Sequence, residues 1–472
     1  MGPDPPIRVA LVSLGCPKNL VDSERMLALL AEGGCRVGAP MDRADVIVIN
    51  TCGFLASARE ESLAVVREAL SHKRAGKARR VVVAGCLSSR DGRRLYEFVP
   101  GIDAVVGVND RDEILSAVKG RRRWTKLSPL TARPGMGKAG APIACDAGRF
   151  RLTPRHTAYL RIAEGCSQRC TFCAIPSIRG PFRSKPPQAV LAEARELVAD
   201  GTVELNVIAQ DTTSYGIDLV RKAHGTQSVG LDLAWLLREL DRVDGLRWIR
   251  LLYTYPRRFT DGLIDALAQC GRVVPYVDLP LQHVSDPILR RMGRGVTRRG
   301  VETLLGKLRR GVPHLVIRTT FLVGFPGETD RHFQELLDFV EDFRFDALGV
   351  FEFSSEPGTP AAELPHQVPE DVKAGRAKTI MLAQQRIALA ANARKVGRTM
   401  EVIVDGTDSA GRCVGRHCGQ APDIDGLCIL TEKRPAGRFV KGVVTGWDMY
   451  DLVVRPTGSS RAGRTAVAPH RA

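Results

Sequence analysis

The stretch Glu164–Pro176, EGCSQRCTFCAIP, constrains this chain more than any other. Cys166, Cys170 and Cys173 form a C-x3-C-x2-C pattern directly after the apolar run Tyr159–Ala163. Three thiolates so close together can converge on one metal centre, and iron–sulfur clusters are held by such cysteine runs. A 4Fe-4S cluster ordinarily takes four cysteines, so a set of three leaves one iron open to a small molecule. Zinc sites favour paired CxxC or Cys/His motifs, and no fourth ligand follows within reach.

With Phe172 inside it, the pattern resembles the signature of radical S-adenosylmethionine enzymes. That resemblance implies that the methionine moiety of S-adenosylmethionine chelates the open iron. It also implies reductive cleavage to a 5′-deoxyadenosyl radical that abstracts hydrogen from an unactivated carbon.

The rest of the chain must supply a frame for such a loop, and 472 residues allow about three domains. The first 120 residues alternate apolar runs with amphipathic stretches. Ile7–Cys16, Asp45–Cys52 (DVIVINTC), Arg80–Cys86 (RVVVAGC) and Ala104–Gly107 are predicted strands. Helices are predicted over Asn19–Glu32, Ser57–His72 and Ser88–Phe98, with another ending at Val118. Continuous apolar strands separated by helices indicate a parallel sheet covered on both faces. Cys16, Cys52 and Cys86 each end one of these strands, on the edge where open α/β sheets bind ligands. Each alone reads more readily as a buried core residue than as a ligand; together they predict a second cluster site, with Cys35 left in the core.

Residues 121–151 read as a linker, because RRRW and TARPGMGKAGAP are basic, rich in Gly and Pro, and aperiodic. From residue 152 to about 390 the strand–helix alternation resumes. Six βα units, with strands at Ala158–Ala163, Glu204–Ala209, Trp248–Leu252, Val274–Leu279, Val316–Val323 and Ala347–Phe353, suit a partial TIM-like barrel. Sites in such barrels lie at the C-terminal ends of the strands, where the three-cysteine loop falls. Gln210, Asp211, Gln282 and His283, in loops after strands, are candidates to bind S-adenosylmethionine; turn formation and helix capping are the alternative reading. Residues 391–457 show short β-type runs separated by turns, as in a small all-β OB-like barrel. Cys413, His417, Cys418 and Cys428 lack finger spacing. Residues 458–472 read as a disordered tail.

Charge points to partners. The chain carries 69 Lys and Arg against 52 Asp and Glu, a net charge of +17, which suits work near nucleic acid. Diffuse solvated surface explains such an excess equally well. The last module is nearly neutral, with ten basic and eight acidic residues over Asn392–Pro456. Asp405, Asp408, Asp423 and Asp425, on its predicted loops, are therefore candidates for docking a basic protein, or else ordinary turn formers. MGPDPPIR has no apolar h-region and no hydroxyl at position six, and no run of 18 apolar residues follows. Neither a signal peptide nor a membrane span is expected, so the chain is predicted to be cytoplasmic, with its 12 cysteines reduced or metal-bound.

The three-part arrangement resembles the methylthiotransferases over residues 7–456, and the last module resembles a TRAM domain. The resemblance implies two 4Fe-4S clusters, one radical-generating and one auxiliary, with S-adenosylmethionine as both methyl and radical source. SLGCPKNLVDSE (Ser13–Glu24), IAQDTTSYG, LQHVSDPILRRMGRG and APDIDG (Ala421–Gly426) resemble the branch that modifies an aspartate of ribosomal protein S twelve at its β-carbon. That branch implies the ribosomal protein, free or on a small-subunit particle, as partner, and an electron donor such as flavodoxin or ferredoxin. Two readings stand beside it: methylthiolation of a hypermodified adenosine in tRNA, and a non-catalytic iron–sulfur RNA-binding protein. Ser167–Gln168 and LSSRDG (Leu87–Gly92) depart from the family's usual residues without removing a thiolate.

Overall fold

The computed structural model describes residues 5–121, 143, 145–222 and 230–457, with no side chains described for 220–222. Most of the predicted linker and the predicted C-terminal tail lie outside these residues.

Five parallel strands form the first sheet: β1 (Arg8–Ser13), β2 (Arg36–Val37), β3 (Val46–Thr51), β4 (Arg80–Gly85) and β5 (Ala104–Gly107), in the order β2-β1-β3-β4-β5. The short β2 escapes sequence reading because two residues carry no period. Valines and isoleucines of β1, β3 and β4 are buried on both faces, which is why these strands read as unbroken apolar runs. β1, β3 and β4 are adjacent, with Ser13 opposite Asn50 and Thr51 opposite Gly85. Their three C-terminal loops therefore leave the sheet at one level.

The second unit is a six-stranded parallel sheet in the order β13-β12-β11-β10-β9-β6. Its strands are β6 (Thr157–Arg161), β9 (Glu204–Ile208), β10 (Trp248–Leu251), β11 (Val273–Asp278), β12 (Val316–Val323) and β13 (Ala347–Glu352). The partial barrel is thus as expected. A two-stranded antiparallel ribbon, β7 (Ala163–Glu164) with β8 (Arg183–Ser184), clasps the base of the three-cysteine loop. Sequence reading missed this ribbon. Nor is all of the predicted linker loose. Phe150 donates its N–H to the Glu24 carbonyl, Leu152 donates to Glu24 Oε1, and Asp146 is buried at 1% exposure.

The third unit is a closed barrel, β14-β15-β16-β18-β17, formed by β14 (Thr399–Thr407), β15 (Cys413–His417), β16 (Cys428–Leu430), β17 (Phe439–Asp448) and β18 (Asp451–Pro456). The long helix Glu370–Ala393 leads into it, as the sequence predicts. Cys413 and Cys428 pack in its core.

Of the aspartates predicted to dock a partner, Asp405 and Asp425 turn toward the barrel unit instead, while Asp423 reaches it from an exposed position. Arg416 donates to both oxygens of Asp405 (2.8 Å each) and to both oxygens of Glu204 (2.9 and 2.7 Å). His156 Nε2 lies 2.9 Å from Asp405, the Tyr276 hydroxyl donates to Asp425 at 2.7 Å, and the Tyr159 hydroxyl donates to Asp423 at 3.3 Å. Asp408 alone stays outside this interface, and it holds Arg412. The reason is physical: strands of the barrel present Glu204, Arg250 and Tyr276 to the small module, and buried polar groups must find partners there.

Removing one partner of such a pair strands the other in low dielectric. Arg416→Ala should therefore cost about 3–5 kcal/mol of stability in chemical denaturation. Adding Glu204→Leu to Arg416→Met should not recover that stability, because the fully buried Arg250 then loses its carboxylate and Asp405 loses its guanidinium.

Candidate functional site

Cys16 is the N-cap of the helix Pro17–Glu32, Cys52 follows β3, and Cys86 opens the helix Cys86–Asp91 after β4. The loops that carry them pack tightly. Gly15 holds φ +89°, and a Cβ there would stand 2.9 Å from the Cys52 Cβ and 3.2 Å from its Sγ. A Cβ on Gly53 would stand 2.9 Å from the Cys86 carbonyl carbon. The three cysteines predicted from separate strand ends do share one rim.

Cys166, Cys170 and Cys173 lie in the loop beyond β7, at the C-terminal end of the barrel strands. Arg294 Nη1 approaches Cys170 Sγ to 3.6 Å, and the Gln168 backbone N–H points at Cys166 Sγ from 3.4 Å. Phe172 stacks edge-on against Phe325, beyond β12, with ring centroids 6.5 Å apart, which seats the loop in the core. All 12 cysteines are free thiols.

A cluster of buried charge joins the two cysteine sets. Arg179 is 1% exposed, and its Nη2 lies 3.3 Å from Cys86 Sγ while donating to Asn19 Oδ1 at 2.6 Å and Asp22 at 3.3 Å. Its Nη1 donates to Glu164 at 3.0 Å, two residues before Cys166. Arg161 bonds Asp22, Asp146 and Glu164, Arg111 pairs with Asp22 and Asp146, and Lys185 pairs with Asp146 and Glu193. Asp22, Asp146, Glu164 and Glu193 thus face Arg111, Arg161, Arg179 and Lys185, balancing in sign. Sequence reading found none of them, since scattered Asp and Arg look like solvated surface.

These charges tune the thiols. Burial pushes the Cys86, Cys166 and Cys173 thiols up to about 12. Burial raises Cys16 as well, but Lys18 and Arg179 outweigh it and leave Cys16 below the usual thiol value. Glu164 is opposed by burial too, yet Arg179 and Arg161 hold it down at about 2. The Lys18 ammonium is itself lowered by burial, with the Cys16 thiolate acting the other way.

The predicted S-adenosylmethionine contacts divide. The Gln210 side-chain amide donates to Glu164 Oε1 at 2.8 Å, and its own Oε1 is buried without a partner. Gln282 is half-buried at the rim, with φ +75°. Asp211 is occupied locally, accepting from Gln168, Thr213 and Ser214. His283 is wholly buried; its Nδ1 accepts the Ser285 N–H, and its unpartnered Nε2 lies 3.8 Å from Glu328. Burial pushes His283 down to about 3 and Glu328 up to about 7, which favours their neutral forms. A cavity of about 810 Å³ opens beside the cysteine loop, lined by Arg169, Arg257, Arg290 and Lys307 and by no acid.

Among the described residues, no three His, Cys, Asp or Glu side chains close on a point as they would around a single ion. Each set instead offers three thiols, with neighbouring cations to offset thiolate charge. That donor chemistry suits a 4Fe-4S cluster with one iron left open.

Three family models match the chain: the Radical SAM superfamily over residues 160–340, Uncharacterized protein family UPF0004 over 8–107, and the TRAM domain over 396–456. The ribosomal protein uS12 methylthiotransferase RimO of Desulforamulus reducens is 44% identical over 94% of this chain and 98% of its own. That of Pelotomaculum thermopropionicum is 44% identical with the same coverage. The solved radical S-adenosylmethionine methyltransferase TsrM of Kitasatospora setae is 17% identical, covering 85% of this chain and 79% of its own, with a TM-score of 0.49.

The thiol values imply an order of reactivity, because the thiolate is the nucleophile. In metal-free protein at neutral pH, brief iodoacetamide treatment followed by peptide mass mapping should find Cys16 alkylated well before Cys86, Cys166 and Cys173. Equal labelling of all four would contradict the assigned electrostatics.

Proposed function

The chain belongs to the RimO family of ribosomal protein uS12 methylthiotransferases, and from that premise we propose that it transfers a methylthio group to the β-carbon of an aspartate of that ribosomal protein. It is a radical S-adenosylmethionine methylthiotransferase. The finer reading uses two 4Fe-4S clusters, one at Cys166, Cys170 and Cys173 and one at Cys16, Cys52 and Cys86. One observation carries it. A single buried arginine, Arg179, reaches Cys86 of one set and, through Glu164, the base of the other.

Cys166, Cys170 and Cys173 would hold the cluster that, with S-adenosylmethionine bound, would supply the hydrogen-abstracting chemistry. The chain's own groups bind and orient. The β7–β8 ribbon and the Phe172–Phe325 contact fix the radical-site loop, and Arg294 offsets charge on Cys170. Lys18 and Arg179 do the same for Cys16. Gln210, tied to Glu164 with one oxygen free among the described residues, is the candidate to receive a donor of the cofactor, with Gln282 on the same C-terminal rim two strands away. Asp211 and His283 would act from behind them, Asp211 by fixing Gln168 in the cysteine loop. No side chain is assigned as a general base.

The positive cavity bears on the partner. Arg169, Arg257, Arg290 and Lys307, lining the cavity beside the cysteine loop, would repel a free basic protein and attract phosphate. This favours meeting the protein on a small-subunit particle, where RNA supplies the negative field. A small electron-transfer protein such as flavodoxin or ferredoxin would deliver the reducing electron. Among the described residues, no helix is long and apolar enough to cross a membrane.

Peptide masses of the ribosomal protein and nucleoside masses of tRNA, from cells with and without this chain, test the reading. A methylthio group gained on the protein aspartate is the expected result. Its appearance only on tRNA adenosine would overturn the assignment.

A further inference from the structure

Lys18 is the second residue of the helix Pro17–Glu32, two positions past Cys16. It is 6% exposed, and its Nζ stands 3.0 Å from the centroid of the Tyr253 ring. Among the described residues, no carboxylate, carbonyl or hydroxyl accepts a hydrogen bond from it. A buried ammonium is almost always paired, and a ring face attracts the charge without satisfying its three N–H donors.

Apart from the Cys16 sulfur, whose charge it offsets, the charged groups around it are already committed. Asp278 takes Arg318 at 2.8 Å and the Tyr253 N–H at 3.0 Å. Glu164 takes Arg161, Arg179 and the Gln210 amide. Arg179, the nearby like charge, spends its donors on Asn19, Asp22, Glu164 and the Cys86 sulfur.

The ring beneath the ammonium is held there at some strain. Tyr253 has φ +58°, a region that bulky residues rarely adopt and that persists only where surroundings enforce it. Here the enforcement is visible. The Tyr253 N–H donates to Asp278, and its carbonyl accepts from the Thr212 N–H at 3.0 Å and the Thr212 hydroxyl at 3.1 Å. Tyr253 lies just past β10, at the C-terminal end of the barrel strands. The unpaired ammonium therefore sits where the Cys16 rim meets the barrel rim.

We propose that Lys18 is the counter-ion of the substrate's side-chain carboxylate. The inference deepens the protein-aspartate reading and rests on it. In aspartate the β-carbon is bonded directly to the carboxyl carbon, so a carboxylate held at Lys18 Nζ fixes the carbon to be modified one bond away. An adenine ring offers no anion to such a site. Lys18 is thus a specificity-determining residue of the chain, in addition to its place beside Cys16.

The test uses reconstituted full-length enzyme and two peptides of ribosomal protein uS12, one with the target aspartate and one with asparagine in its place. Their Kd values are read by fluorescence anisotropy, with iron and sulfide content measured on each protein. Wild type should prefer the aspartate peptide by about ten- to a hundredfold, as for a hydrogen bond to a charged group. Lys18→Met should keep its full iron and bind the two peptides alike, while Lys18→Arg should restore the preference. A Lys18→Met protein that has full iron and the wild-type preference overturns the proposal. So does one that loses half its iron, since Lys18 then serves only the thiolates beside it. Wild-type enzyme that binds neither peptide and modifies only tRNA fails the protein-substrate reading itself, and the Lys18 assignment with it.

Discussion

Eight buried charged side chains hold the sheet domain against the barrel. Asp22 comes from the first helix, Arg111 from the far side of the first domain, and Asp146 from the segment that returns after it. Arg161, Glu164, Arg179, Lys185 and Glu193 come from the barrel unit. Burying one such charge alone would cost several kcal/mol, so the set is stable only when every member is in place. Asp146 shows the completeness required, contacting Arg161, Arg111 and Lys185. A displacement of either domain would leave a carboxylate or guanidinium unpaired in low dielectric. The interface is therefore tied to one geometry more strictly than an apolar surface of similar size would be.

That fixed geometry is what the chemistry needs. Strand register puts Cys16, Cys52 and Cys86 at one level of the first sheet, and the barrel puts Cys166, Cys170 and Cys173 at the C-terminal end of its strands. Neither arrangement alone brings the two sets together. Arg179 does so, because the same guanidinium faces Cys86 and Glu164. The network's charges balance overall, yet locally Lys18 and Arg179 favour the Cys16 thiolate, while at Cys86 burial outweighs Arg179 and holds the thiol up. At the far end of the barrel unit, Arg416 and Glu204 fix the small closed barrel by the same device.

What the sequence made legible follows from periodicity and spacing. Unbroken apolar runs marked the central strands, and a cysteine at the end of three of them marked the rim. What it hid follows from the same physics. The first helix buries Lys18, Asn19, Asp22, Ser23 and Glu24 as well as apolar residues, so its hydrophobic stripe describes only one of its two interfaces. Asp405, Asp423 and Asp425 look like turn formers or docking charges until the barrel unit supplies His156, Tyr159 and Tyr276. The returning segment around Asp146 resembled linker because its buried side chains are charged. Pairing across domains leaves no local mark on a sequence.

The central claim is that two three-cysteine sets, linked through Arg179 and Glu164, would hold two clusters close together. Electron paramagnetic resonance of the anaerobically reconstituted, dithionite-reduced enzyme tests it most directly. The account predicts a spectrum broadened by coupling between two nearby cluster spins, collapsing to that of an isolated cluster when Cys16, Cys52 and Cys86 are all changed to Ala. An isolated single-cluster spectrum from the unaltered enzyme, unchanged by that substitution, would contradict it.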